Sequence, residues 1–267
     1  MDAGKPLAID LFCGLFGWSE GLVVEGYDVV GVDLEDMCGQ FGVPRPEHVH
    51  LVIQDVLTLH GSQLRNVDLI VASPPCQFFS YTAMPWSKAK ALAAEVRADP
   101  GRMKQETALF DACFRLKREA CEAAGRHIPL VVENVRGAIP WVGRSRWNFG
   151  SYHLWGDVPA LMPPVVKRGA MKQGIAHRAG ELAGGQAMGG IKGVPHRTKG
   201  HWTNPAEHEG IKQRGSGREW FAGDGKISRM TSSKSPARKF ASAMIAKIPL
   251  PLSRHVAKAW HPRSEAA

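Results

Sequence analysis

The stretch Leu7-Ala-Ile-Asp-Leu-Phe-Cys-Gly-Leu-Phe-Gly-Trp18 decides the fold. Leu7 to Leu11 is an apolar run with one acid, Asp10, inside it. The run ends in a turn that carries Gly14 and Gly17, and Trp18 to Glu25 then reads as a helix. A strand, a glycine turn and a helix leave backbone N–H groups unpaired at the helix start, a geometry suited to a nucleotide-like ligand. Working outward, Tyr27 to Val32 is a second strand, closing at Asp33. Val49 to Ile53 is a third, followed by Gln54 and Asp55. Val67 to Ala72 is a fourth and runs into Ser73-Pro74-Pro75-Cys76. Ile128 to Val132 is a fifth, ending at Glu133. These strands are apolar throughout rather than alternating, which predicts an α/β fold: a mainly parallel sheet with helices on both faces. Ligands bind such sheets at the carboxyl ends of the strands. Asp10, Asp33, Asp55, Cys76 and Glu133 all fall at or just beyond those ends.

Between these strands, residues 78–104 read as a long loop with one short helix. Glu106 to Ala124 places Leu109, Ala112, Cys113, Leu116 and Ala120 on one helical face. The stretch Ser151-Tyr-His-Leu-Trp-Gly156 is strand-like. Beyond residue 156 Gly and Pro interrupt the pattern. From Ala237 a helical segment is followed by a break at Pro249 and Pro251, and then by a helix from Leu252 to Trp260.

The 267 residues are 44% hydrophobic and 22% charged, which excludes a mainly disordered chain. No run of 18 or more apolar residues occurs, so a membrane span is not expected. Asp10 makes the first apolar stretch a poor signal peptide. Five cysteines without regular spacing argue against a disulfide framework. A cytoplasmic protein with reduced thiols is expected. The net charge is +9. Residues 157–240 hold 15 Lys/Arg against 6 Asp/Glu, and the rest of the chain balances at 19 of each sign. This Gly- and His-rich segment is either a solvated basic loop or a surface that tracks a polyanion. Its histidines, His177, His196, His201 and His208, lack ligand-like spacing, and no metal is expected.

Three constellations carry chemistry. The first is the glycine turn with Asp33, suited to a ribose diol, and Asp55, suited to an adenine amino group; Asp33 could equally cap the following helix. The second is Ser73-Pro74-Pro75-Cys76-Gln77, where two prolines fix the backbone before a thiol. The alternative is a small buried cysteine, the reading given to Cys113 and Cys121. The third is Val131-Val132-Glu133-Asn134-Val135, in which a carboxylate directly after an apolar strand faces either a polar site or a partner such as Arg136.

The motifs DLFCGLFGW, Asp33, Gln54-Asp55, SPPCQFFS and VVENV follow the order and spacing of DNA cytosine-5 methyltransferases, and the chain resembles the compact bacterial and phage members of that family. The resemblance covers roughly residues 7–146 and the C-terminal tail. It implies a Rossmann-like S-adenosylmethionine-dependent sheet, with residues 1–156 as the catalytic domain. Residues 157–240 become a small irregular target-recognition lobe, and residues 241–267 pack back on the catalytic domain. Asp10, Phe12, Gly14, Leu15, Gly17, Asp33, Asp55 and Pro75 would hold S-adenosylmethionine. Cys76 would attack C6 of a cytosine flipped out of duplex DNA, and Glu133 would stabilise the ring. The stretch from Phe78 to Gly101 would be a lid. Gln77, Ser80, Arg197, Lys199, Arg214 and Arg218 would contact DNA. The partner implied is double-stranded DNA and the expected state is a monomer, with a role in restriction-modification or in a phage.

The chain departs from the family pattern at three places. Phe16 stands where the family has glycine. Arg144-Ser-Arg146 is the best counterpart of a Gln-x-Arg-x-Arg motif. Ala246-Lys247-Ile248-Pro249 only loosely matches the last motif. The alternative functions are a tRNA cytosine-5 methyltransferase and a catalytically inactive DNA-binding protein.

Overall fold

A computed structural model describes residues 4–80, 86–162 and 236–262. The chain divides into two compact units, residues 1–163 with 250–267, and residues 164–249. Arg197, Lys199, Arg214 and Arg218 lie outside the described residues, as do the four histidines of the basic segment.

The first unit is built on seven strands: β1 (Leu7–Leu11), β2 (Asp28–Asp33), β3 (Val49–Ile53), β4 (Leu69–Ala72), β5 (Leu130–Asn134), β6 (Trp147–Phe149) and β7 (Tyr152–Gly156). They are ordered β3-β2-β1-β4-β5-β7-β6. The first five in that order run parallel, whereas β7 is antiparallel to both β5 and β6. The parallel sheet agrees with the sequence. The hairpin of β6 and β7 adds an antiparallel edge, and β6 was not foreseen because three residues give no period to read.

The register explains why the central strands are apolar on both sides. Ile9, Ile70 and Leu130 stand in one row, and Leu11, Ala72 and Val132 in the next; all belong to one core cluster with Phe110, Cys113, Leu116 and Ala120. The last four lie on α4 (Pro100–Ala124). On the opposite face, helix α1 (Gly17–Val24) meets the C-terminal helix (Leu250–Trp260). Tyr27 Oη donates to the Ala257 carbonyl at 3.1 Å, and Arg254 Nε pairs with Glu25 Oε1 at 2.6 Å. Asp157 ties the sheet edge to both layers: it takes Lys117 Nζ and the Leu130 N–H at 2.8 Å, while its carbonyl accepts from Trp260 Nε1 at 2.9 Å.

Two stretches correct the sequence reading. The helix expected within residues 78–104 is not short: α3 (Trp86–Ala98) takes up half of the stretch, with five alanines among thirteen residues. Helix α4 begins at Pro100 rather than Glu106. Asp99 accepts from Gly101 N and Arg102 N, so Asp-Pro-Gly is a helix cap with proline in the first turn and not a loop turn. A short helix over Met37–Phe41 (α2) follows β2, and another over Ile139–Val142 (α5) follows β5. In the second unit, α6 spans Pro236–Ala246.

Candidate active site

The strand order reverses between β1 and β4, so the turns leaving these two strands flank the crevice at the sheet's carboxyl edge. The turn after β1 is braced from β2. Phe12 N and Cys13 N donate to the Val32 carbonyl at 2.8 and 3.2 Å. Gly14 N donates to Asp33 Oδ2 at 2.8 Å, and Leu34 N to Asp33 Oδ1 at 2.8 Å. Asp33 therefore shapes the glycine turn, and each of its oxygens keeps a lone pair for a hydroxyl. Capping of α2 falls instead to Asp36, which accepts from Gly39 N at 2.9 Å. Asp55 accepts from Leu57 N at 2.9 Å and caps the 3-10 turn Val56–Thr58. Leu15 and Gly17 are buried.

Phe16 begins α1 in a left-handed conformation, φ 58°, and is 1% exposed. Its ring lies over Gly31 of β2, where a Cβ would stand 2.7 Å from Phe16 Cε1. The bulk that the family pattern excludes is thus taken up by a missing side chain on the neighbouring strand. Asp10 is 0% exposed and turned toward α1: its Oδ2 accepts from Ser19 N at 3.2 Å and from Ser19 Oγ at 2.7 Å. Its Oδ1 is buried without a hydrogen-bond partner among the described residues.

The proline loop after β4 is held from two sides. Ser73 N donates to the Leu11 carbonyl at 3.1 Å, and Trp18 Nε1 donates to Ser73 Oγ at 3.0 Å. From the other side Asn134 Nδ2 donates to the Pro74 carbonyl at 2.9 Å. Ser80 N closes the turn on the Cys76 carbonyl at 2.8 Å. Pro75 and Gln77 are exposed, and Cys76 is half-buried at the rim. The other thiols are placed differently. Burial pushes Cys13 and Cys113 far up, holding both protonated. The Cys113 thiol lies fully inside α4's packing face and reaches the Leu109 carbonyl at 3.4 Å. Cys121 Sγ is engaged by Ile128 N at 3.2 Å.

Glu133 is not beyond β5 but within it, 8% exposed, directly beside the strand that leads to Cys76. Its register partner is Leu154, and the Arg146 N–H donates to the Leu154 carbonyl at 2.8 Å. Arg146 therefore sits two strands from Glu133, about 10 Å across the sheet. Arg144 and Arg146 are both exposed just before β6. Burial and the nearby Glu133 charge push the Tyr152 hydroxyl far up. Burial, helped by Arg136, lowers the His153 pKa.

Sequence reasoning missed Trp18 and Asn134, whose bonds to the proline loop span 55 and 60 residues. It also missed Leu34, Ile53 and Leu57, which are 65%, 55% and 47% exposed around Asp33 and Asp55. The signal that could have found them was an apolar residue beside each strand-end acid. Together the braced glycine turn, the two acids and this apolar rim fit an adenosine-bearing cofactor. Exposed apolar side chains suit a flat ring, and the carboxylates suit hydroxyl and amino groups.

The strand order and the crevice define the class as a Rossmann-like α/β fold. Within that class, residues 7–88 match the family model of C-5 cytosine-specific DNA methylases, as the motifs DLFCGLFGW and SPPCQFFS imply, and the cofactor of that family is S-adenosylmethionine. The match takes in Asp33, Asp55 and Cys76 and ends before Glu133. No curated protein matches the chain. Among solved structures, the chain is similar to an E. coli protein described as a putative DNA modification methyltransferase encoded within a prophage (24% identity, TM-score 0.33, covering 51% of this chain and 33% of that one). It is also similar to the Entamoeba histolytica methyltransferase EhMeth (19%, 0.33, 52% and 40%) and to S. pombe Dnmt2 (14%, 0.32, 51% and 36%). The chain thus spans about a third to two fifths of the length of these proteins.

Proposed function

We propose that this protein methylates C5 of cytosine in double-stranded DNA. The observation that carries this reading is the seating of Cys76. Its loop is clamped to the glycine-turn helix by Trp18 and to the Glu133 strand by Asn134, so thiol, cofactor crevice and carboxylate share one edge of the sheet. S-adenosylmethionine would be held by the turn from Phe12 to Gly17 with Asp33 and Asp55, and would supply the methyl group. Asp10 supports that site from beneath through Ser19, and Pro75 walls it beside Cys76.

Cys76, as thiolate, adds to C6 of the cytosine, and the ring's electron pair moves toward C5. Glu133, in its protonated form, would donate its proton to N3 while its other oxygen accepts from the exocyclic amine, neutralising the electron pair that the thiolate adds to the ring, and would take the proton back when the thiolate leaves. C5 would take the methyl group as the sulfonium carbon–sulfur bond breaks and S-adenosylhomocysteine leaves; water would take the C5 proton, and the C5–H electron pair would re-form the C5–C6 double bond as the C6–sulfur bond breaks and Cys76 leaves as thiolate. Within a stacked duplex C6 is out of reach, so the base is flipped out at a cost of a few kcal/mol. Arg144 and Arg146 contact the cytosine ring and its phosphate. Gln77 and Ser80 contact the DNA beside it. Residues 157–240 form the target-recognition region, where Arg197, Lys199, Arg214 and Arg218 hold phosphates.

The test is a denaturation-resistant adduct on duplex DNA containing 5-fluorocytosine, whose C5 fluorine blocks release of the thiol. The adduct is expected with the native protein and S-adenosylmethionine, and is lost in Cys76→Ala. A protein that transfers methyl groups to DNA yet forms no such adduct would sink the covalent route. Transfer to tRNA in preference to duplex DNA would move the substrate assignment to RNA.

A further inference from the structure

A cleft of about 330 Å³ opens beside the nucleophile loop, between α3 and α5, with Phe78, Lys90, Leu92, Arg97, Pro140 and Trp141 among its lining residues. That is within the range of small-molecule clefts, which begins at roughly 300 Å³. Its walls come from the chain leaving Cys76, two residues before Phe78, and from the chain leaving Glu133, eight residues before Trp141. The cleft therefore adjoins the crevice without including either group. Phe78 and Trp141 meet edge to face with centroids 4.9 Å apart, and the Arg97 guanidinium stands 4.9 Å from the Trp141 ring centre. Among the described residues, the lining holds two cations and no carboxylate. Aromatic walls select a flat ring, a guanidinium over an indole extends that stacking surface, and the positive charge selects an anionic substituent.

We propose that this cleft is a second base site, taking the unstacked base of a nucleotide next to the target cytosine, with its phosphate on Arg97. This rests on the reading of Cys76 as the nucleophile on cytosine. Stacking on Phe78 and Trp141 tolerates any base, so the site adds grip on an opened strand rather than sequence choice. The strand is then opened over two nucleotides, and DNA with an unpaired neighbour binds more tightly than fully paired DNA.

The test uses the full chain and a cytosine-containing single-stranded oligonucleotide with 5-iododeoxyuridine beside each cytosine. Irradiation of the complex is expected to crosslink Phe78 or Trp141, read by mass spectrometry of the peptides. Trp141→Ala and Arg97→Gln are each expected to raise the Kd for this oligonucleotide about tenfold. The calorimetric Kd for S-adenosylmethionine should stay unchanged, which also reports folding. If Trp141→Ala loses cofactor binding, the exposed Arg97 decides through Arg97→Gln. Crosslinks confined to other residues, with DNA binding untouched by the variants, overturn the proposal; a peptide or protein occupant would give that result. Transfer of labelled methyl groups to the same DNA separates the two readings. Methylation without the crosslink removes only the second base site. The crosslink without methylation of any cytosine DNA removes the enzymatic reading and leaves a nucleotide cleft.

Discussion

Asp10 shows how much a single carboxyl group can shape this site. Burial is the main cause that raises its pKa from 3.8 to about 7; the two bonds from Ser19 oppose the rise, and the Asp33 charge adds to it. The folded protein therefore binds a proton that the unfolded chain has released between these values. The associated stability is fully present below about pH 4 and is lost as pH rises through about 7. Asp10→Asn keeps an acceptor for Ser19 and cannot ionise. In urea titrations from pH 4 to 8, the variant is expected to gain on the wild type by a few kcal/mol, on the order of the linkage for such a shift. Curves that stay parallel over that range would show that the carboxyl group titrates normally. The strand-end position of Asp10 was visible in the sequence. Its orientation was not, because only the packing of α1 on the sheet turns the side chain toward Ser19 rather than toward the rim.

Among the elements, α1 depends on its contact with the C-terminal helix. A Cβ on Gly21 would overlap the Ser253 side chain and come within 2.5 Å of the Arg254 backbone nitrogen. Gly21→Ala is expected to destabilise the protein by about 1–3 kcal/mol or more, seen as a lower urea midpoint, although alanine is the better helix former. An unchanged midpoint would mean that the helices can slide apart. What the sequence made legible follows the same division. The parallel strands and their terminal acids were readable because apolar runs bounded by turns are local signals. The full length of α3 and the start of α4 were not, because Asp99-Pro100-Gly101 serves equally in a turn and in a helix cap. Nor were the clamps on the proline loop, because Trp18–Ser73 and Asn134–Pro74 are contacts between distant parts of the chain. Cys76 and Glu133 could be picked out as strand-end groups, but that the strand leading to Cys76 lies beside the strand of Glu133 needed the sheet order.

At the scale of the whole molecule, charge is divided between segments. Outside residues 157–240 the charges balance, whereas that segment holds the entire surplus. If it grips phosphates, the affinity for DNA should fall steeply with salt. Neutralising Arg197, Lys199, Arg214 and Arg218 together should make the slope of log K against log[salt] shallower by about 3–4, at roughly 0.9 per phosphate contact. A slope that does not change would place the phosphate contacts elsewhere, the exposed Arg144 and Arg146 being the next candidates.

The paired tethers on Ser73 and Pro74 have a mechanical consequence. They moor the chain two and three residues before the thiol to a helix on one side and to the neighbouring strand on the other, so that stretch resists displacement from either side. On the proposed reading, Ser73 and Pro74 should therefore keep their positions whether or not DNA is bound.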